Sequence, residues 1–274
     1  MKRYILVMAA ACVSMASANT DGVNIPADFA AGDFAYQNTA TGFGDNFNEL
    51  NGLFLRSNLG TIFMGATANL EQNNGNRIII AMDTKAGGAT QMPGSFGFTS
   101  GQGHLFFGGG FAVDYVLHMN IFNGIMYIDL YDVQGNNNMY LGGTQVNGSG
   151  GWDPGQGGMQ PGSAAFNNTN TAGVGGGNGM DGNAPTATTG FEIELPWNLM
   201  GLNENEQFCA MAYITGGDGF FSNQFVPGIG GGDNIGRNNY TQNSYVCHTL
   251  APEPASMFAL GIGMGALALR RRRR

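Results

Sequence analysis

Few residues in the chain have the types and spacing needed for catalysis, and the first candidates are two carboxylates. Glu192 and Glu194 lie two positions apart in the segment Phe191–Pro196, so on a strand they share one face and lie roughly 7 Å apart. That separation is within the range for the two carboxyl groups of an inverting glycosidase. The same face would equally suit solvent, and the sequence shows no aromatic sugar-binding subsite around the pair. A hydrolase is therefore a minor alternative, and we expect no catalytic residues and no enzyme activity.

The two tryptophans are candidates for stacking against sugar rings, because an aromatic face packs against apolar C–H groups. Trp197 follows a proline at the end of a strand-like segment, and we expect it in the core. Trp152 lies in the glycine-rich stretch Gly150–Pro154. The sequence leaves open whether Trp152 stacks on a glycan or anchors its loop.

Aspartates at strand ends and in turns are candidate ligands for a structural Ca²⁺, which takes oxygen ligands from carboxylates and loop carbonyls. None of them has the spacing of an EF-hand loop or of a calcium-binding repeat, and turns use Asp for backbone reasons alone. We therefore assign no metal ligand and expect no cofactor, with a structural Ca²⁺ as the alternative. The aspartates concerned are Asp83, Asp129, Asp132, Asp153, Asp181, Asp218 and Asp233.

Three cysteines occur, and one of them, Cys12, falls in the N-terminal apolar segment. The other two, Cys209 and Cys247, are expected to pair if the chain is exported to an oxidising compartment. Closing a loop of about 39 residues would stabilise the fold by roughly 3–4 kcal/mol in the chain-entropy model. The alternative is two buried free thiols.

The N-terminus has the layout of a secretory signal peptide. Lys2 and Arg3 form a basic start, Tyr4–Val13 is apolar, and Ala16–Ala18 offers a small-x-small cleavage site. This order predicts a signal helix in residues 1–18 that is removed on export, with the mature chain beginning at Asn19.

The C-terminus has a matching three-part order. Pro252, Glu253 and Pro254 precede an uncharged run of 15 residues from Ala255 to Leu269. As a helix this run spans about 22 Å, short of the hydrocarbon core of about 30 Å, and arginine stems reaching to the interface can cover part of the difference. The cationic end is expected on the cytoplasmic side. Its arginines are Arg270, Arg271, Arg272, Arg273 and Arg274.

Residues 251–274 thereby resemble the PEP-CTERM sorting signal of bacterial surface proteins, a segment also called the ice-binding protein C-terminal domain. The resemblance implies that an exosortase-type transpeptidase recognises Pro252, Glu253 and Pro254, while Arg270–Arg274 retain the chain in the inner membrane. It also implies later delivery to the cell surface or extracellular matrix. The ice-binding name carries no ligand information, and the sequence lacks a regular Thr-x-Thr array.

Charge narrows the choice of partners for the exported part. Between Asp21 and Glu253 the chain has 19 acidic residues and four basic ones, a formal net charge of −15. Such a surface argues against nucleic acid and anionic lipid as partners. It is compatible with divalent cations or with simple solubility. Polysaccharide is the candidate partner that remains.

The region 19–250 is predicted to be one extracellular all-β domain with long Gly/Asn-rich loops. Short β-prone runs alternate with turn residues throughout, and Ile125–Tyr131 alternates so that Tyr127 and Asp129 share a face. Residues 142–190, in which 16 of 49 are glycine, predict a long flexible insertion with one short strand near Ala164–Asn168. Ser222–Gly228 is predicted to be a loop.

The segment Glu194–Gly201 resembles family 9 carbohydrate-binding modules and DOMON-like β-sandwiches. The resemblance is carried by Glu194, by the corner Leu195-Pro196-Trp197 and by Met200-Gly201. It implies a β-sandwich of jelly-roll type. We therefore expect a surface-sorted, non-catalytic protein with a structural or matrix-associated role, with a carbohydrate-binding module as the alternative.

Overall fold

The computed structural model describes residues 20–250 apart from Asp45, Phe98 and Met159. The predicted signal helix in 1–18 and the predicted sorting and anchor segment in 251–274 lie outside the described residues. Within the described part of the chain, no helix has the length and apolar character needed to cross a bilayer.

The described chain is built almost wholly from strands, as the alternation of β-prone runs and turns predicts. One helix, α1 (Ile25–Asp28), and three short 3-10 helices (Pro154–Gln156, Ala184–Thr186 and Trp197–Met200) accompany them. The strands are β1 Asp33–Tyr36, β2 Glu49–Asn58, β3 Thr61–Asn69, β4 Arg77–Asp83, β5 Ser95–Phe96, β6 Thr99–Ser100, β7 Leu105–Phe107, β8 Tyr115–Phe122, β9 Ile125–Asp132, β10 Asn137–Gln145, β11 Ser163–Phe166, β12 Gly190–Pro196, β13 Gln207–Thr215, β14 Phe221–Val226, β15 Tyr240–Gln242 and β16 Val246–Thr249.

Two large antiparallel sheets pack face to face as a β-sandwich, which confirms the predicted fold class. The first sheet has the strand order β1-β2-β3-β12-β11. The second has the order β10-β9-β8-β4-β13-β14, with β16 also paired to β13. Strands distant in sequence meet in both sheets, β3 with β12 and β4 with β13, so both sheets depend on long-range pairing.

The main core lies between the two sheets. From the first sheet it takes alternate residues such as Leu53, Leu55 and Ile193, and from the second Leu117 and Ile128. Each of these side chains is at most 1 % exposed. Burying a side chain of this size contributes about 1.5–3 kcal/mol. The strand alternation seen in the sequence therefore sets the sandwich interface.

Other parts of the chain cover the outer face of each sheet. Helix α1 places Ile25 and Phe29 against Phe54 and Phe63 of the first sheet. The loop layer, defined as residues 84–113 with strands β5 to β7, covers the centre of the second sheet. Its buried side chains are Met92, Phe96, Leu105, Phe107, Phe111 and Val113.

The prediction of a loop at Ser222–Gly228 is wrong over most of its length, because residues 221–226 form β14 and pair with β13. The polar residues that suggested a loop are buried in specific hydrogen bonds. Asn223 donates to the carbonyl oxygens of Ala40 and Gly232. Gln224 accepts from the backbone N–H of Leu50. Buried amides with partners are compatible with a strand, and the sequence alone does not reveal those partners.

Residues 142–190 are not a structureless insertion. They contain the end of β10, and Ser163–Phe166 forms β11, the edge strand of the first sheet. Further backbone hydrogen bonds fasten the loops, for example from Gly151 to Ala164 O and from Gln160 to Leu141 O. The high glycine content hid this order because it removes the apolar periodicity on which strand prediction depends.

Cys209 and Cys247 form a disulfide in the structure. The two residues are directly opposite each other on β13 and β16, with their Cα atoms 4.0 Å apart. The closing strand of the domain is thereby fastened covalently to an inner strand of the second sheet.

Candidate functional site

An open groove lies on the outer face of the second sheet, beside the edge of the loop layer. It has a volume of about 530 Å³, within the range usual for ligand clefts. Strands β8, β9 and β10 supply its lining, two residues each. These are Asn120 and Phe122, Tyr127 and Asp129, and Asn138 and Tyr140.

Three aromatic rings give the groove its apolar surface. Phe122 is 52 % exposed, so its ring is open to a ligand. Tyr127 and Tyr140 are half-buried, with ring centroids 6.4 Å apart and planes tilted by 33°. Rings set side by side in an open cleft suit a ligand with flat apolar faces.

A buried polar chain forms the floor of the groove. Asp129 is 4 % exposed and accepts a hydrogen bond from Asn138 Nδ2 at 3.0 Å. Beneath it, His118 Nδ1 lies 3.7 Å from Asp129 Oδ2, while His118 Nε2 accepts from Arg77 Nε at 2.8 Å. Because Nε2 accepts from Arg77, the imidazole proton is on Nδ1, and burial lowers the pKa of His118. A fixed carboxylate thus faces the cleft.

The glycine-rich stretch closes one side of the groove. Tyr127 Oη donates to Gln156 Oε1 at 3.0 Å, and a Cβ added at Gly158 would lie 2.9 Å from the ring of Tyr140. A side chain at position 158 would therefore collide with the aromatic surface. The glycine-rich stretch predicted as an insertion therefore contacts Tyr127 and Tyr140 and helps to position their rings.

Trp152 does not belong to the lining of this groove. Its Nε1 donates to Gln160 O at 2.9 Å, and its half-buried ring packs against the core. A Cβ added at Gly142 would lie 2.7 Å from the indole, so glycine there makes room for the ring. These contacts anchor the loop, but Trp152 also lines a separate pocket of about 210 Å³, so glycan stacking at Trp152 stays a prediction. Trp197 is buried in the core, 9 % exposed.

Ser57, His248 and Asp33 form a second constellation, in the order of a serine-hydrolase triad. Ser57 Oγ lies 2.9 Å from His248 Nε2, and His248 Nδ1 lies 2.9 Å from Asp33 Oδ2. By strand alternation, Ser57 shares the inward face of β2 with Leu53 and Leu55, and it is 5 % exposed. Since Asp33 and Ser57 belong to the first sheet and His248 to the second, we interpret the chain as a polar bridge between the layers.

If Ser57 and His248 bridge the sheets, His248→Gln should lower the free energy of unfolding by about 1–2 kcal/mol, because buried hydrogen bonds are lost. Urea unfolding measures this change, and His104→Gln, which removes only an exposed hydrogen bond to Asn239, is the matched control. A fluorophosphonate probe should not label the protein. Covalent labelling that disappears in Ser57→Ala would contradict the bridge and establish a nucleophile.

Glu192 and Glu194, the two carboxylates considered as a catalytic pair, have different surroundings. Glu192 is 2 % exposed, and its Oε2 accepts from the backbone N–H groups of Gly22 at 2.6 Å and Asp21 at 3.0 Å. Glu194 is half-buried. The alternative that this face meets solvent does not hold for Glu192, which is buried. The two carboxylates therefore differ in their access to solvent.

Burial raises the pKa of Glu192 to about 7, and the two backbone hydrogen bonds only partly oppose this. A folded-state pKa above the unfolded value means that stability is fully present below the unfolded pKa and is lost as the pH rises through the folded pKa.

In calcium-free buffer the protein should therefore lose stability between pH 4.5 and about 7. The expected loss relative to Glu192→Gln is roughly 3 kcal/mol, since one pKa unit corresponds to about 1.4 kcal/mol. Chemical unfolding of both proteins across this range measures the difference. Parallel stability curves for the two proteins would show that Glu192 does not titrate in this window.

The groove could have been found partly from the sequence. The alternation that places Tyr127 and Asp129 on one face of β9 was visible, but nothing local marks Phe122 or Tyr140 as their neighbours. The Ser57–His248–Asp33 chain has no sequence signal, because its members are 191 and 215 positions apart.

Comparison with known proteins identifies the C-terminal segment of the chain. Residues 250–274 match the family model of the PEP-CTERM protein-sorting motif. The motif marks an exported protein that is sorted at the membrane and processed by an exosortase, which confirms the resemblance seen in the C-terminal residues. Neither curated proteins nor solved structures give a match.

Proposed function

We propose that the exported domain is a non-catalytic carbohydrate-binding module that attaches its carrier to polysaccharide at the cell surface or in the extracellular matrix. The observation that carries this proposal is the groove of Phe122, Tyr127 and Tyr140 above the buried carboxylate of Asp129. Rings pack against the C–H faces of a sugar, while the carboxylate and the amides of Asn120 and Asn138 suit its hydroxyl groups.

Charge favours a neutral glycan as the occupant. Asp129 is the one acidic residue among the lining residues, which include no basic residue, and the surrounding domain is strongly acidic. An anionic polymer would meet repulsion at the groove and around it. Among the lining residues Asp129 is the one carboxyl group, which favours binding over turnover, because glycoside hydrolysis uses a pair.

Replacing Phe122 with alanine should weaken glycan binding by about tenfold or more, as covering a phenyl ring contributes roughly 1.5–3 kcal/mol. Phe34→Ala is the matched control, since Phe34 is 53 % exposed on the first sheet and lies outside the groove. Glycan arrays followed by titration calorimetry measure both variants. Equal binding by the two variants, or no binding by the native protein to any neutral glycan, would contradict the proposal.

The C-terminal motif supports a surface location for this domain. Pro252, Glu253 and Pro254 would form the element that the exosortase reads, and Arg270–Arg274 would hold the chain in the inner membrane until processing. The disulfide between Cys209 and Cys247 is in keeping with an oxidising destination.

In a host that contains an exosortase, replacing Pro252, Glu253 and Pro254 with alanine should leave the protein unprocessed in the membrane fraction. Removing residues 251–274 should release the domain from the membrane, because the apolar run and the arginines are gone. Cell fractionation and immunoblotting follow both changes. Identical fractionation of the native protein and both variants would contradict the assigned roles.

A further inference from the structure

Three carboxylates meet where the N-terminal segment crosses the outer face of the first sheet. Asp21 precedes α1, Asp28 ends it, and Glu192 lies on β12. One potential ligand oxygen from each lies within 4.8 Å of the others. Two ligands on opposite sides of one Ca²⁺ are at most about 4.6–5.2 Å apart, so a single ion can reach all three.

A second observation concerns the hydrogen bonding of Glu192. Its Oε2 accepts two backbone hydrogen bonds, whereas its Oε1 has almost no accessible surface and no hydrogen-bond partner among the described residues. A buried carboxylate oxygen without a partner is costly. A cation bound at this oxygen would remove that cost.

Charge balance favours a divalent ion. Arg56 is the basic group that acts on this cluster: the charges of Asp28 and Glu192 oppose the lowering of its pKa by burial. Around a bound cation all three carboxyl groups would be ionised. One guanidinium against three carboxylates then leaves two negative charges, which a divalent cation neutralises. The ligand set is irregular and all oxygen, which suits Ca²⁺ better than Mg²⁺, because Mg²⁺ requires near-octahedral geometry.

We propose that Asp21, Asp28 and Glu192 form a structural Ca²⁺ site that fastens the N-terminal segment to the sandwich. Water and backbone carbonyl groups complete the coordination of the ion. With three protein carboxylates, the site belongs with extracellular calcium modules, whose dissociation constants are about 10⁻⁴–10⁻³ M. The site is independent of the groove and of the proposed glycan ligand.

Glu192→Gln tests the site with little disturbance of shape. The glutamine carbonyl can still accept from Gly22 and Asp21, but the charge is lost. The exported full-length chain is purified in non-ionic detergent with residues 251–274 retained. Its thermal unfolding is then measured in EDTA, in about 5 mM CaCl₂ and in about 5 mM MgCl₂. Asp28→Asn is the second variant, and Asp233→Asn, an exposed aspartate bonded to Asn178, is the control.

Calcium should raise the melting temperature of the native chain and of Asp233→Asn, with a smaller rise in magnesium. It should have no effect on Glu192→Gln or Asp28→Asn. Hydrogen exchange should slow roughly tenfold in residues 20–30 on calcium binding, because that segment opens locally without the ion. Three outcomes would overturn the proposal. In the first, calcium leaves the native melting temperature unchanged. In the second, it raises the melting temperatures of Glu192→Gln and Asp28→Asn as much as that of the native chain. In the third, magnesium raises the native melting temperature as much as calcium does.

Discussion

Strand β4 is buried on both faces, and this constraint sets the arrangement of the whole domain. Ile78 and Ile80 point into the core between the sheets, while Ile79 and Ala81 point toward the loop layer. A strand apolar on both sides requires cover on both sides. The first sheet provides one cover and the loop layer provides the other.

The aromatic groove lies where the loop layer ends. The loop layer reaches the outer face of β9 as far as Tyr131, on which Phe96 stacks with ring centroids 5.5 Å apart. Beyond that contact the same face continues through Asp129 and Tyr127, which line the groove. The outer face of β9 is thus covered at Tyr131 and open at Tyr127, which lines the groove.

The sequence predicted those features that depend on local pattern. The sandwich, the inward face of Phe191, Ile193 and Leu195, and the C-terminal sorting motif all come from periodicity or linear motifs. It failed where distant polar groups meet. Glu192 looked solvent-facing because its cover, residues 21 and 22, is 170 positions or more away, and Gln224 looked like a loop residue because its partners lie near Leu50. Hydrogen-bond partners of buried polar groups are set by the fold, so no window of sequence contains them.

If the C-terminal segment anchors the protein as proposed, the position of the disulfide has a mechanical consequence. Strand β16 ends at Thr249, immediately before the sorting motif begins at residue 250. A four-residue strand alone would peel away one hydrogen bond at a time under tension from the membrane side. With Cys247 joined to Cys209, force on the tail passes through a covalent bond into β13, which β4 and β14 flank, so the pull is shared by the sheet as a unit.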